Sequence, residues 1–248
     1  MADQNATPAP TTTNVQSSSS ALVVDPSLSY YNLSTPAEYK QQSNNNIKCL
    51  VVCAIVIVRC SSSSASASAS ESVPLPSTDD GDQAAPTPRV LLVQRALTDS
   101  WPGIWEAPGG TCDETDTSLI AALARELREE TGLEARAALG LVHIDRVRGG
   151  HLTKVTFLAD VENPQQVKEK EGEHLSSPSP SLSSWNGLVK LDPAEHSAFV
   201  WATEEEVRQD IVQGGQRLVW PRNSRDKATV LEGFRMAAAL WKKGEETS

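Results

Sequence analysis

The sequence predicts an α+β fold, a β-sheet with helices packed against it, and three observations carry that reading. Val- and Ile-rich runs at 49–58 and 90–94 have the composition of buried strands. Residues 117–133 and 226–242 place apolar side chains at helical spacing. Two alternating segments, 139–147 and 152–161, flank Gly149-Gly150 as the arms of a hairpin would.

The chain has 248 residues, enough for one domain with appendages or two small ones. With 22 Lys+Arg against 32 Asp+Glu the formal charge is −10, which argues against binding a nucleic-acid polymer, since such affinity comes from cations that neutralise phosphates. A small anionic partner would need a cation supplied from outside. Much of the negative charge sits in two low-complexity stretches. Residues 1–46 carry Asp3, Asp25 and Glu38 against Lys40, and residues 61–88 carry Glu71, Asp79, Asp80 and Asp82 with no cation. Neither clusters enough apolar area to offset the entropy of ordering its backbone. The expected organisation is therefore a disordered tail over 1–46, a domain over 47–243 with inserts at about 61–88 and 166–187, and a short tail over 244–248. The second insert, with its KEKEGEH and SSPSPSLSS strings, reads as a surface loop.

Taken in order, Cys49 to Val58 is the first strand. It is about half the length a membrane-spanning helix needs, so no membrane association is expected. Val90 to Gln94 is the second strand, and the two can be neighbours across the insert because closure entropy grows only logarithmically with loop length. The segment TDSWPGIWEAPGG is turn-rich. The helix at 117–133 follows, with Thr117 or Asp116 as expected N-cap and Gly132 just past its end. After the hairpin, Thr203 and Glu206 form a capping box that starts a short helix at 204–211, behind a strand at 199–201. Val230, Leu231, Phe234, Ala238 and Trp241 mark a C-terminal helix that covers the sheet.

Targeting signals are weak: residues 1–46 have no Arg, and no basic stretch leads into an apolar one. The expected location is cytoplasmic, with the nucleus also open. Cys49, Cys53, Cys60 and Cys112 lack metal-ligand spacing and a paired His, and they read as reduced, buried, small apolar residues.

The carboxylates of the long helix carry most of the chemistry. Glu126, Glu129 and Glu130 stand at i, i+3 and i+4, so their side chains converge on the last two turns. Glu130 falls inside the apolar arc, where a charge needs a partner or a metal. An oxygen-rich cluster suits Mg²⁺ or Mn²⁺, whereas a solvated Arg/Glu face is the commoner explanation of such spacing. The residues alone leave both readings open.

The string Arg125-Glu126-Leu127-Arg128-Glu129-Glu130-Thr131-Gly132-Leu133 matches every fixed position in the second half of the Nudix box, G-x5-E-x7-R-E-U-x-E-E-x-G-U with U aliphatic. Trp105-Glu106-Ala107-Pro108-Gly109-Gly110 is similar to the lead-in that many Nudix hydrolases carry. The chain thus resembles a Nudix hydrolase over about residues 47–243. The first half of the box departs from the pattern: Asp116 stands where the family has Glu, and the interval from Asp116 to Arg125 is one residue too long.

The resemblance implies a mixed β-sheet sandwiched between helices, an α/β/α sandwich. It implies that Glu129 and Glu130 ligate Mg²⁺ or Mn²⁺, that Glu126 ligates metal or orients the attacking water, and that Gly110 contributes its carbonyl. Arg125 would orient a box carboxylate by bidentate pairing. The implied reaction is attack of water on a phosphorus of a nucleoside diphosphate linked to another moiety, with a homodimer among the assemblies of the family. The alternative is a catalytically weak Nudix-fold nucleotide-binding or regulatory module, if Asp116 spoils the loop.

Glu204, Glu205 and Glu206 are explained as acids at a helix N-terminus. Glu195 is not. Its position in a loop before a strand that leads to Trp201 resembles the general base outside the box in many Nudix enzymes, with His196 a weaker candidate. His143 reads as structural, and Arg146 and Arg148 as exposed strand charges or as phosphate contacts. Trp101 and Trp105 are explained by packing beneath the loop, or else by stacking on a base.

Overall fold

A computed structural model of the chain describes residues 21–43, 46–61, 85–165 and 180–246. The strands are β1 (Val23–Val24), β2 (Cys49–Cys60), β3 (Thr87–Arg95), β4 (Trp105–Glu106), β5 (Ala135–Val147), β6 (Leu152–Val161) and β7 (His196–Ala202). The helices are α1 (Ser29–Leu33), α2 (Pro36–Gln42), α3 (Leu119–Thr131), α4 (Leu182–Leu188), α5 (Glu204–Gln209) and α6 (Asp226–Glu246).

All seven strands belong to one mixed sheet, ordered β1-β5-β6-β2-β3-β4, with β7 on the other edge of β3. β2 runs parallel to β6 from Cys49↔Leu152 to Val56↔Ala159 and antiparallel to β3 from Ile57↔Val90 to Cys60↔Thr87. The two Val-rich strands are therefore neighbours across the first insert, as expected.

The continuous apolar run of β2 has a direct cause. Leu50, Val52, Ala54, Val56 and Val58 face a core layer with Leu119, Ile120, Leu123 and Leu127 of α3. Ile55 and Ile57 face the opposite layer, with Val207 of α5 and Val230, Phe234 and Ala237 of α6. A strand covered on both faces needs apolar residues at every position rather than at alternate ones. The sandwich of helices about a mixed sheet is thus the observed fold.

Four boundaries differ from the sequence-based expectation, the first being that β3 begins at Thr87, inside the insert expected over 61–88, because Thr87 and Pro88 pair with Cys60 and Arg59. Residues 21–43 are not a tail. β1 pairs in parallel with Ala137 and Ala138 of β5, Thr35 and Glu38 form a capping box for α2, and Leu28 and Tyr39 are buried in the core that contains α3. Tyr31 meets Phe157 edge-to-face with centroids 5.3 Å apart. Few apolar residues suffice here because two short helices gather them on one side, which composition alone does not reveal. The second insert is also shorter than expected, for α4 is capped by Ser181 and buries Trp185 against Trp201. Finally, α6 continues past residue 243 to Glu246. The expected disorder at 62–84 and the loop at 166–179 lie outside the described residues. Among the described residues no helix is long and apolar enough to cross a membrane.

Candidate active site

α3 begins at Ser118, whose side chain accepts from the Ala121 N–H at 3.0 Å, and ends at Gly132 with φ 70°. The cap is Ser118 rather than Thr117 or Asp116, and the reason is that Asp116 is engaged elsewhere. Arg125 donates Nε to Asp116 Oδ1 at 3.0 Å and Nη2 to Asp116 Oδ2 at 2.9 Å, a bidentate pair. Asp116 Oδ2 also accepts from the Asp113 N–H at 2.7 Å. One buried carboxylate therefore ties the variant loop to the helix in spite of the extra residue.

Arg125 also gathers two box carboxylates. Its Nη1 lies 2.9 Å from Glu126 Oε1 and 2.8 Å from Glu129 Oε2. Glu129 is the exposed member, with 54% of its side chain accessible. Glu126 and Glu130 are buried. Burial pushes the Glu126 carboxyl above its ordinary value against the pull of Arg125, and it pushes Glu130 up to about 7 although His196 and the Gly109 N–H oppose it.

The loop 108–112 runs along β2 as an irregular extra strand. Val52 N–H donates to Gly110 O at 3.0 Å, Ala54 N–H to Pro108 O at 2.8 Å, and Cys112 N–H to Leu50 O at 2.9 Å. The expected ligand carbonyl of Gly110 thus has one lone pair committed to β2. Gly109 is required by close approach to the backbone of β2, whereas Gly110 faces only the Glu126 carboxylate. A Cβ on Gly109 would lie 2.1 Å from Val52 O, and one on Gly110 would lie 2.5 Å from Glu126 Oε2. The Gly109 N–H donates to Glu130 Oε2 at 2.7 Å, which fixes that carboxylate beside the loop.

The start of β7 completes the constellation. Glu130, Glu195 and His196 each offer one ligand atom, all within 4.8 Å of one another. The structure thus unites Glu130 with Glu195 and His196, while Glu126 and Glu129 meet on Arg125. His196 is buried, its Nε2 is 3.9 Å from Glu106 Oε1, and its Nδ1 has no hydrogen-bond partner among the described residues. Burial would lower the His196 pKa, but the carboxylates of Glu106, Glu130 and Glu195 outweigh it and leave it raised. Burial would likewise raise Glu106, but His196, Lys154 and Arg95 outweigh it and hold this carboxylate below its usual range. The donor chemistry, mostly carboxylate oxygens with an unsatisfied buried nitrogen, fits a hard divalent cation such as Mg²⁺ or Mn²⁺.

Glu106 also borders a cleft of about 920 Å³. The lining carries Lys48, Arg95, Arg146, Arg148, Lys154, Arg222 and Arg225 against Glu106, Asp145 and Asp226, a positive surface on an acidic chain. Arg95 pairs with Glu106 at 2.8 Å and Lys154 with Asp226 at 2.7 Å. Among the described residues the other five cations form no ion pair. Sequence reasoning missed Glu106, Lys154, Arg222 and Arg225. Glu106 had a signal, a charge set between apolar neighbours, and Lys154 had a weaker one, a cation within a run otherwise without charge from Leu152 to Ala159. The two loop arginines had none. His143 lies outside this cleft. The cysteines are free, and burial pushes Cys53 and Cys112 up to about 12 and Cys60 to about 11, which leaves those three thiols protonated and unreactive.

The chain is 38% identical over 90 residues to a protein of Cronobacter sakazakii described as an uncharacterized Nudix hydrolase, NudL, a match that covers 35% of this chain and 47% of the relative. An Escherichia coli protein of the same description is 36% identical over the same length. The chain therefore spans about half the length of the curated relatives it matches. Among solved structures it is similar to a mutT/nudix family protein from Listeria innocua, at 16% identity and TM-score 0.42, covering 79% of this chain and 97% of that one. An ADP-ribose pyrophosphatase from Streptococcus suis aligns at 20% identity and TM-score 0.39, over 76% of this chain and 92% of that one. The NUDIX domain model matches residues 75–219, a span that holds α3, the glycine loop, Glu195 and the β5–β6 wall of the cleft, and on that match the chain belongs to the Nudix family.

Proposed function

We propose that the protein is a metal-dependent hydrolase that cleaves a phosphoanhydride in a nucleoside diphosphate linked to another moiety. The observation that carries the reading is the meeting of two opposite fields: a cluster of Glu130 on α3 with Glu195 and His196 at the start of β7, and a cation-lined cleft whose Glu106 lies 3.9 Å from His196 of that cluster. The cations suit the phosphates of a substrate, and the carboxylates suit the cation that such a reaction recruits.

Glu126, Glu129 and Glu130 would hold Mg²⁺ or Mn²⁺, together with the second lone pair of the Gly110 carbonyl. The bound ion would neutralise charge that develops on the phosphoryl oxygens and lower the pKa of a coordinated water. Arg125 keeps Glu126 and Glu129 together against their mutual repulsion, and Asp116 keeps Arg125 in place. The Gly109 N–H orients Glu130. Glu195, exposed and beside Glu130, is the group that would take the proton of the attacking water. His196 is held between Glu106 and Glu130 and positions that end of β7.

The bidentate Asp116–Arg125 pair supports the enzyme over a weak binding module, because the variant position retains its hold on the box. The test is incubation with a panel of nucleotide sugars, dinucleotides and nucleoside triphosphates in Mg²⁺, Mn²⁺ or EDTA, read by phosphorus resonance. Turnover of one or more diphosphate-linked nucleotides in metal and none in EDTA is expected. Binding without turnover across the panel would replace the enzyme with the module.

A further inference from the structure

The geometry points to Trp101 as a stacking platform for the base of a nucleotide substrate, at the mouth of the cationic cleft. This rests on the reading of that cleft as the substrate site.

The turn-rich segment holds two tryptophans that the fold separates completely. Trp105 is 0% exposed and belongs to the core between β3 and α6, which settles its role as packing. Trp101 is 56% exposed and lines the cleft. Of the six tryptophans of the chain it is the exposed one. Burying an indole is the usual way to gain from it, whereas this one faces a cleft whose charged lining is mainly cationic.

Its backbone sharpens the point. Trp101 has φ 61°, a left-handed conformation that bulky side chains rarely adopt. The surrounding contacts enforce it. Arg95 Nε donates to Ser100 O at 2.7 Å and Arg95 Nη2 to Ser100 Oγ at 3.1 Å. Gln94 Nε2 donates to Gly103 O at 3.0 Å, and the Gly103 N–H to Arg95 O at 3.1 Å. Two adjacent residues of β3 therefore clamp both sides of the tryptophan, so the loop that displays it is built rather than loose. Strain of this kind persists where the surroundings over-determine it.

The neighbours fix the chemistry of the ligand. Arg95 is common to the clamp, the ion pair with Glu106 and the cleft wall, so the displayed indole is tied to the carboxylate end of the cleft. Arg146 and Arg148 enter the lining from the β5–β6 hairpin, and Arg222 and Arg225 from the segment before α6. A ligand that satisfies both features has a flat aromatic face and several phosphate charges. A nucleotide has both, and inorganic pyrophosphate has only the second. An indole offers a face to any base, so the platform confers preference for nucleotides as a class rather than for one base.

The test compares ADP with inorganic pyrophosphate as ligands of the wild type, Trp101→Ala and Trp101→Phe, by calorimetry in EDTA. Because binding is read without turnover, failure of the hydrolase reading would show separately, as absence of activity in the wild type. The Ala variant is expected to weaken ADP about 5- to 150-fold, the range for loss of one stacked base, and to leave pyrophosphate within about twofold. The Phe variant is expected to restore ADP to within about threefold. Wild type that does not bind ADP at millimolar concentration, unchanged ADP affinity in the Ala variant, or an equal loss for both ligands would each overturn the assignment.

Discussion

Glu130 carries a carboxylate buried on a helix that accepts from a backbone N–H of the glycine loop. Its raised pKa makes a stability prediction. Below pH 4.5 the carboxyl is largely protonated in folded and unfolded chains alike, and no cost arises. Between 4.5 and about 7 the unfolded chain ionises first, so folding stability falls as pH rises. Above that range the cost is complete, at most about 3 kcal/mol at 1.36 kcal/mol per pKa unit. Glu130→Gln keeps an acceptor for Gly109 and removes the charge. Without divalent metal it is expected to raise Tm by about 5 °C at pH 8 and by less than about 1 °C at pH 4. Equal shifts at the two pH values would show that burial of charge is not the cause. Glu195 belongs to the same cluster but is exposed, and its proposed role is that of general base. Glu195→Gln should lower kcat by on the order of a hundredfold or more with little change in KM; a loss below about threefold would remove it as the general base.

At the scale of elements, what was legible in the sequence was whatever a short-range pattern encodes. The spacing of Leu119, Ile120, Leu123 and Leu127 specified α3, and Thr203 with Glu206 specified the start of α5. The N-cap of α3 was misplaced because Asp116 reaches nine residues on to Arg125, a tertiary contact that no local rule contains. The N-terminal segment was read as a tail for a related reason. Leu28 and Tyr39 look sparse along the chain, and their burial depends on α3 and β6 being in place to receive them. α4 was hidden in the same way, since Trp185 within a Ser-rich stretch becomes a core residue only against Trp201. The carboxylates of α3 were legible as a cluster, but their division was not. Glu126 and Glu129 meet Arg125, whereas Glu130 meets Glu195 and His196 from a strand that lies far along the chain.

For the whole molecule, the acidic balance conceals a reversal of sign. The chain carries −10, yet the charged residues that line the cleft beside the box are mainly cations, gathered from the residue before β2, from β3, the β5–β6 hairpin and the segment before α6. Parallel pairing of β2 with β6 sets Cys49 beside Leu152 and Val51 beside Lys154, and all four line the cleft. On the proposed reading a phosphate-rich ligand would be drawn to this cleft, and the adjacent carboxylates would hold the metal that accompanies it. The central claim is that the α3 carboxylates perform the hydrolysis through that metal. Its most direct test is the rate of product release from the best diphosphate-linked nucleotide at saturating Mg²⁺, wild type against Glu129→Gln. Glu129 is exposed, so the variant should fold normally, and kcat is expected to drop by about a hundredfold or more. A folded variant that turns over within about threefold of wild type would contradict the account.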